Sequence, residues 1–355
     1  GPPTRNHGPR PTEAVGCPER GSTPGAGRGE GVPASPISRR AVVGALGVAG
    51  AWTLLSACGH GSPDGAPSDA VTSTATDSAT GAATPTSGTP DVVDPASLPS
   101  YDYEERELAV VSQGETMAGR LYAPAVAGPV PLVVCSHGLV GSIDDLDPVA
   151  RTLAGLGLAS YRFAFRNGGP EAGDTTRMSV MTEVADLEAV LTAARSAADG
   201  WDVVDPQRIV LQGVSQGGAV SAITAARHPE EVAGLALWYP AFSITDDLHL
   251  LFASSEEVPE TLTFEGHSLG RIYAEDMWDY DVYADMPRYP SPVLIVHGDA
   301  DAVAPIGYSE RAVQTFPDAQ LLTIEGAGHG LSGRAWDRAM GGTAAYLQRI
   351  GVLGG

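Results

Sequence analysis

The chain has 355 residues, with 21 basic and 43 acidic side chains and a formal net charge of −22, and every basic residue is arginine. That acidic balance excludes a nucleic-acid binder, which needs a basic face to neutralise phosphate, and a polybasic membrane-surface protein. Three widely spaced cysteines, Cys17, Cys58 and Cys135, exclude a disulfide scaffold and a four-cysteine zinc site.

Residues 1–37 are rich in Gly, Pro and Arg without apolar periodicity and read as disordered. Ser38-Arg39-Arg40 precedes 17 uncharged residues at 41–57, a pattern that resembles a twin-arginine export signal. The segment is short and rich in Gly and Ala, whereas a membrane span needs about 20 apolar residues. Its end, Leu55-Ser56-Ala57-Cys58, resembles a bacterial lipoprotein cleavage box. The resemblance implies a lipid on Cys58 and a protein held at the outer face of the bacterial cell membrane, or secreted. An uncleaved anchor helix is the alternative. Residues 58–99 read as a disordered linker: from 59 to 99, 36 of 41 residues are Gly, Ser, Thr, Pro, Ala or Asp. Such a segment buries too little surface to offset its ordering entropy.

Of the 22 aromatic residues, 21 lie after residue 100, so a single folded domain is expected over 100–355. Residues 107–112 and 116–122 read as strands around a Gln113-Gly114 turn, and 131–136 as a strand buried on both faces. Then follow helix 146–156, strand 158–163, helix 179–197, strand 208–212, helix 216–227 and strand 232–238. After a break come strand 292–297, helix 307–316, strand 320–324 and helix 334–350. Strands alternating with helices imply an α/β fold: a mostly parallel sheet flanked by helices, with an antiparallel edge from the leading hairpin. The acidic, aromatic stretch at about 240–290 interrupts two core strands and is expected to form a lid.

Four loops after strands carry chemistry. Gly213-Val214-Ser215-Gln216-Gly217 lies between an apolar strand and a helix. A nucleophile on so tight a turn needs small residues two positions away on each side, and the glycines supply them. His137-Gly138-Leu139 follows another strand. In this architecture its loop lends one backbone N–H to an oxyanion hole, and the residue after the nucleophile lends the other: Leu139 and Gln216. His297-Gly298-Asp299-Ala300-Asp301 offers two carboxylates. Asp301 is expected to be the triad acid, while Asp299, closer to the strand, ties down the loop and His297 is structural. Gly326-Ala327-Gly328-His329-Gly330 places a histidine where it can swing over the serine, with a pKa suited to proton shuttling. His137, Gly138, Trp238 and Phe242 are expected to border the substrate. No histidine pair has the spacing of a metal site, and no Gly-rich fingerprint after a strand suggests a dinucleotide cofactor.

With these loops and Tyr161-Arg162-Phe163-Ala164-Phe165-Arg166-Asn167-Gly168-Gly169, residues 104–350 resemble an α/β-hydrolase of the serine esterase and acyl-aminopeptidase-like group. The nearest resemblance is to cinnamoyl (feruloyl) esterases. It implies a Ser215, His329, Asp301 triad, no cofactor and hydrolysis of an ester or amide. The chain departs from the family where an Asp and a second His are replaced by Ala164 and Gly168. The expected activity is cleavage of a small carboxylic ester through an acyl-enzyme on Ser215. A peptidase of the same fold and a surface-tethered binding protein on an inactive scaffold are the rivals.

Overall fold

The computed structural model describes residues 89–169, 173–197 and 199–354. The expected export signal, Cys58 and most of the expected linker lie outside the described residues. Packing begins before residue 100: the Val93 N–H donates to the Gly341 carbonyl at 3.2 Å, and Val93 and Leu98 lie against the domain's second apolar cluster.

The first strand, β1 (Tyr103–Glu107), leads into a small hairpin of β2 (Val110–Ser112) and β3 (Glu115–Met117). Gln113 and Gly114 turn it with φ of +47° and +83°, the two positive angles that a tight hairpin requires. Strand β4 (Gly119–Pro124) then pairs antiparallel with β1. Next come β5 (Val130–Ser136), α1 (Asp147–Gly155), β6 (Ala159–Phe163), α2 (Val180–Arg195), β7 (Val204–Val214), α3 (Gln216–Arg227) and β8 (Gly234–Trp238). The excursion after β8 holds α4 (Ile244–Leu251), a hairpin of β9 (Thr261–Phe264) and β10 (His267–Gly270), α5 (Arg271–Met277) and α6 (Val282–Asp285). The chain closes with β11 (Val293–Gly298), α7 (Gly307–Thr315), β12 (Ala319–Ile324) and α8 (Arg334–Arg349).

Eight strands form one sheet in the order β1-β4-β6-β5-β7-β8-β11-β12. From β6 onward every pairing is parallel, and β4 pairs antiparallel with both its neighbours. Strand β5 shows why these runs are uniformly apolar. Leu132 and Val134 join the cluster shared with α2, α3 and α7, while Val133 and Cys135 join the one shared with α1 and α8. Alternate residues point to opposite faces, and both faces are covered. Burial pushes the Cys135 thiol up to about 12, so it behaves as an apolar side chain. Helix α2 starts on a reciprocal cap: Ser179 Oγ accepts from the Thr182 N–H at 3.1 Å, and Thr182 Oγ1 accepts from the Ser179 N–H at 2.9 Å. Strand β7 starts four residues earlier than expected, because Asp205, Pro206 and Gln207 mask its beginning, where Val204 pairs with Val130.

The chain progresses in opposite directions across the sheet from β5, toward β6 on one side and β7 on the other. A crevice outside the carboxyl ends of the strands at such a point is where ligands bind in open α/β sheets. The loops after β5, β7, β8, β11 and β12 all end there.

Candidate active site

Ser215 stands between β7 and α3 with φ +51° and ψ −122°, a strained conformation for a non-glycine residue. The turn is held because the Ser215 N–H donates to the Trp238 carbonyl at 3.0 Å and its own carbonyl accepts from Ala241 N–H at 2.9 Å. Two glycines make room. A Cβ on Gly213 would be driven into the Gly217 carbonyl, and one on Gly217 into the carbonyls of Ser136 and His137. The turn therefore sits against the end of β5 at Gly217, with the serine at the positive end of α3.

Ser215, His329 and Asp301 form one hydrogen-bonded chain. His329 Nδ1 lies 2.8 Å from Asp301 Oδ2, and its Nε2 lies 2.9 Å from Ser215 Oγ. The carboxylate can only accept from Nδ1–H, which leaves Nε2 free to accept the serine proton. Asp301 Oδ1 accepts the N–H groups of Val303 and Ala304 at 2.9 and 3.0 Å. Burial pushes the Asp301 pKa up, but the hydrogen bonds from His329, Ala304 and Val303 outweigh it, and the group sits below the usual carboxylate range. Asp299 instead accepts from the Gly326 N–H at 2.6 Å and ties the two loops together, as expected of it.

His297 does more than end a strand. It is fully buried, and its Nε2 faces Asp301 Oδ2 at 3.1 Å and the Ala304 carbonyl at 2.8 Å. Both neighbours are acceptors, so Nε2 carries the proton, and Nδ1 accepts from Ser309 Oγ at 2.7 Å. Burial lowers its pKa and keeps it neutral. Removing it in His297→Ala leaves Asp301 one donor short. We expect kcat to fall roughly 10- to 100-fold, the penalty of a misplaced catalytic group. KM should stay near the wild-type value in steady-state ester assays, because His297 borders neither cavity at the serine.

The β5 loop approaches from the other side. Gly138 leaves the serine room: a Cβ there would lie 3.2 Å from Ser215 Cβ. The Gly141 N–H closes a turn onto the Gly138 carbonyl at 3.0 Å, with Val140 at φ +48°. That turn presents Leu139, which with Gln216 lines the cavity at Ser215. His137, expected to border the substrate, lines neither cavity at Ser215. It is buried, accepts from the Phe165 N–H through Nε2 at 3.2 Å, and its Nδ1 lies 2.8 Å from the Gly138 carbonyl, so it clamps the loop.

Neither Trp238 nor Phe242, the two aromatics expected there, lines a cavity at Ser215. Trp238 packs into the cluster shared with α1 and α8, where its Nε1–H donates to Thr343 Oγ1 at 3.1 Å. Its neighbour Tyr239 faces the site instead, its ring edge-on to His329 at 4.9 Å. Phe242 lines a separate lid cavity with Trp278 and Tyr280, away from the serine. The lid completes the site: Phe264, Glu265, His267 and Tyr273 line the cavities at Ser215.

The lid is joined to the serine turn by a buried chain. Tyr273 OH donates to Gln216 Oε1 at 2.8 Å, and Gln216 Nε2–H donates to Glu183 Oε2 at 2.8 Å. Glu183 is fully buried. Burial holds its carboxyl well above the usual range, against the opposing Gln216 hydrogen bond, and Asp186 adds to the upward push. An acid with a raised folded pKa loses stability as pH climbs past its unfolded pKa, since only the unfolded chain then releases its proton. Glu183→Gln removes that loss. Its melting temperature should gain on the wild type between pH 5 and pH 8 in calorimetry.

Among the described residues, no group of His, Cys, Asp or Glu could hold a metal ion, and no helix is long and apolar enough to cross a membrane. A family model described as serine aminopeptidase, S33, matches residues 127–276, and one described as TAP-like protein matches 277–350. The uncharacterized protein Rv2307c of Mycobacterium tuberculosis is 28% identical over 258 residues, 70% of this chain and 81% of that one. The fold is similar to that of Est1E from Butyrivibrio proteoclasticus, solved with ferulic acid bound, with a TM-score of 0.62, 24% identity, and coverage of 69% of this chain and 99% of that one. It is also similar to a puromycin hydrolase, with a TM-score of 0.54, 19% identity, and coverage of 72% and 39%. The fold and its site define a hydrolase. The chain has the α/β-hydrolase fold, a mostly parallel eight-stranded sheet flanked by helices.

Proposed function

We propose that the protein hydrolyses carboxylic esters through an acyl-enzyme on Ser215. The observation that carries the reading is the unbroken chain from Asp301 through His329 to Ser215 Oγ, with the serine already within proton-transfer distance. Ser215 Oγ attacks the carbonyl as His329 Nε2 takes its proton. Asp301 holds the ring in the tautomer that allows this and stabilises the imidazolium. The Leu139 and Gln216 N–H groups receive the charge that develops on the carbonyl oxygen, a contribution of roughly 3 kcal/mol per donor. His329 then protonates the departing alkoxide, and water repeats the sequence to release the acid.

The likeness to a serine aminopeptidase model supports a second reading, cleavage of aminoacyl amides. Nitrophenyl esters and aminoacyl anilides separate the two. The ester reading expects faster ester cleavage, and faster anilide cleavage would overturn it. The export signal and cleavage box support a lipid anchor on Cys58 that holds the enzyme at the outer face of the cell membrane. Cys58→Ala should then release it from the membrane fraction; unchanged retention would reject the anchor.

A further inference from the structure

Two cavities of very different size meet at Ser215. One is a small pocket of about 30 Å³ whose lining includes Leu139, Gln216, Ala241, Ile244, Phe264 and Tyr273. The other is an open groove of about 420 Å³ that includes Gly138, Tyr239, His267 and His329. The chemistry assigns each a role. His329 must protonate the leaving oxygen, so the alcohol lies on the His329 side, in the groove. The carbonyl oxygen turns toward Leu139 and Gln216, and the acyl chain is left the small pocket beside them.

The pocket has less than a tenth of the groove's volume. Its wall is not free to step aside. Phe264 packs on Tyr273 with ring centres 5.2 Å apart, and Tyr273 is fully buried with its hydroxyl committed to Gln216. Opening the pocket there would strand buried polar groups. Asp247 borders it too, accepting from Ser243 Oγ at 2.7 Å. The groove, by contrast, falls in the size range of small-molecule sites. Asp145 and Glu265 line it, with His267 and His329 as its only basic side chains.

We propose that the enzyme removes short acyl groups, acetyl foremost, from bulky alcohols that carry no negative charge. This rests on the ester-hydrolase reading. In the first step the bond from Ser215 Oγ to the acetyl carbon forms, the bond to the alcohol oxygen breaks, and the serine proton passes through His329 to the alcohol. In the second, water gives its hydroxyl to the acetyl carbon and its proton, through His329, to Ser215. The products are acetate and the free alcohol.

The test is kcat/KM of the whole protein on nitrophenyl acetate, butyrate and hexanoate and on a feruloyl ester, with fluorophosphonate labelling of Ser215 in parallel. The expected result is acetate ahead of hexanoate and of the feruloyl ester by about 100-fold or more, the scale of a few excluded methylenes. Equal or faster cleavage of either larger ester overturns the proposal. Phe264→Leu and Ile244→Ala each enlarge the pocket and should raise the butyrate-to-acetate ratio about tenfold; an unchanged ratio in both, with native melting curves, also overturns it. Labelling of Ser215 without turnover of any ester rejects the ester reading itself, and the acyl-size proposal falls with it.

Discussion

Ser215→Ala should lower kcat on nitrophenyl acetate on the order of a millionfold and abolish fluorophosphonate labelling, with melting behaviour unchanged. The loss is this large because the hydroxyl is both the attacking atom and the attachment point of the acyl intermediate. His329 and Asp301 have no other proton to move once it is gone. The backbone contacts that hold the turn, from the Ser215 N–H to Trp238 and from Ala241 N–H to the Ser215 carbonyl, do not involve the side chain. The Oγ takes part in the hydrogen bond to His329 at 2.9 Å, so the fold has little to lose. Residual turnover near that of an oxyanion site alone is expected. Activity within tenfold of wild type would place the nucleophile elsewhere.

Asp301→Asn should cost about 10⁴-fold in kcat. The amide oxygen can still accept from Val303 and Ala304, which directs the amide nitrogen to the Oδ2 position. There it donates to His329 Nδ1, which forces the proton onto Nε2 and turns the base toward Ser215 as a donor. The same nitrogen meets the Nε2–H of His297, leaving two buried donors opposed. An unpaired buried donor costs about 1–3 kcal/mol, so the melting temperature should fall as well. The pH response gives a second readout. The wild-type Asp301 pKa is lowered by folding, so its stabilisation is present above the unfolded carboxylate pKa and is lost as pH falls through the folded one. The variant has no such group, and its deficit relative to wild type should shrink in acid.

The serine turn was legible in the sequence because its requirement is local. Gly213 and Gly217 are demanded by atoms within four residues or by the adjoining strand, and their spacing about Ser215 follows from that steric demand. Asp301 was separable from Asp299 for a similar reason: the residue nearer the strand end reaches the neighbouring loop at Gly326, and the farther one reaches His329. Trp238 shows the limit. Strand residues alternate faces, and the strand end alone does not say which of Trp238 and Tyr239 faces the site. Long-range pairings were out of reach. Glu183, Gln216 and Tyr273 lie 33 and 57 residues apart, and only the packed lid brings them together. The lid elements show no period in the sequence because strands of four residues and helices of four to eight are too short to display one. His297 was readable as structural, but its contact with Asp301 depends on the loop folding back over β11.

The central claim is that hydrolysis passes through an ester on Ser215. Its most direct test is acid quenching during the first turnovers of nitrophenyl acetate, followed by proteolysis and mass spectrometry. The account predicts one acetyl group per chain, confined to the peptide that contains Ser215 and absent from Ser215→Ala. Acetyl on another residue, or steady hydrolysis with an unmodified Ser215 peptide, would contradict it.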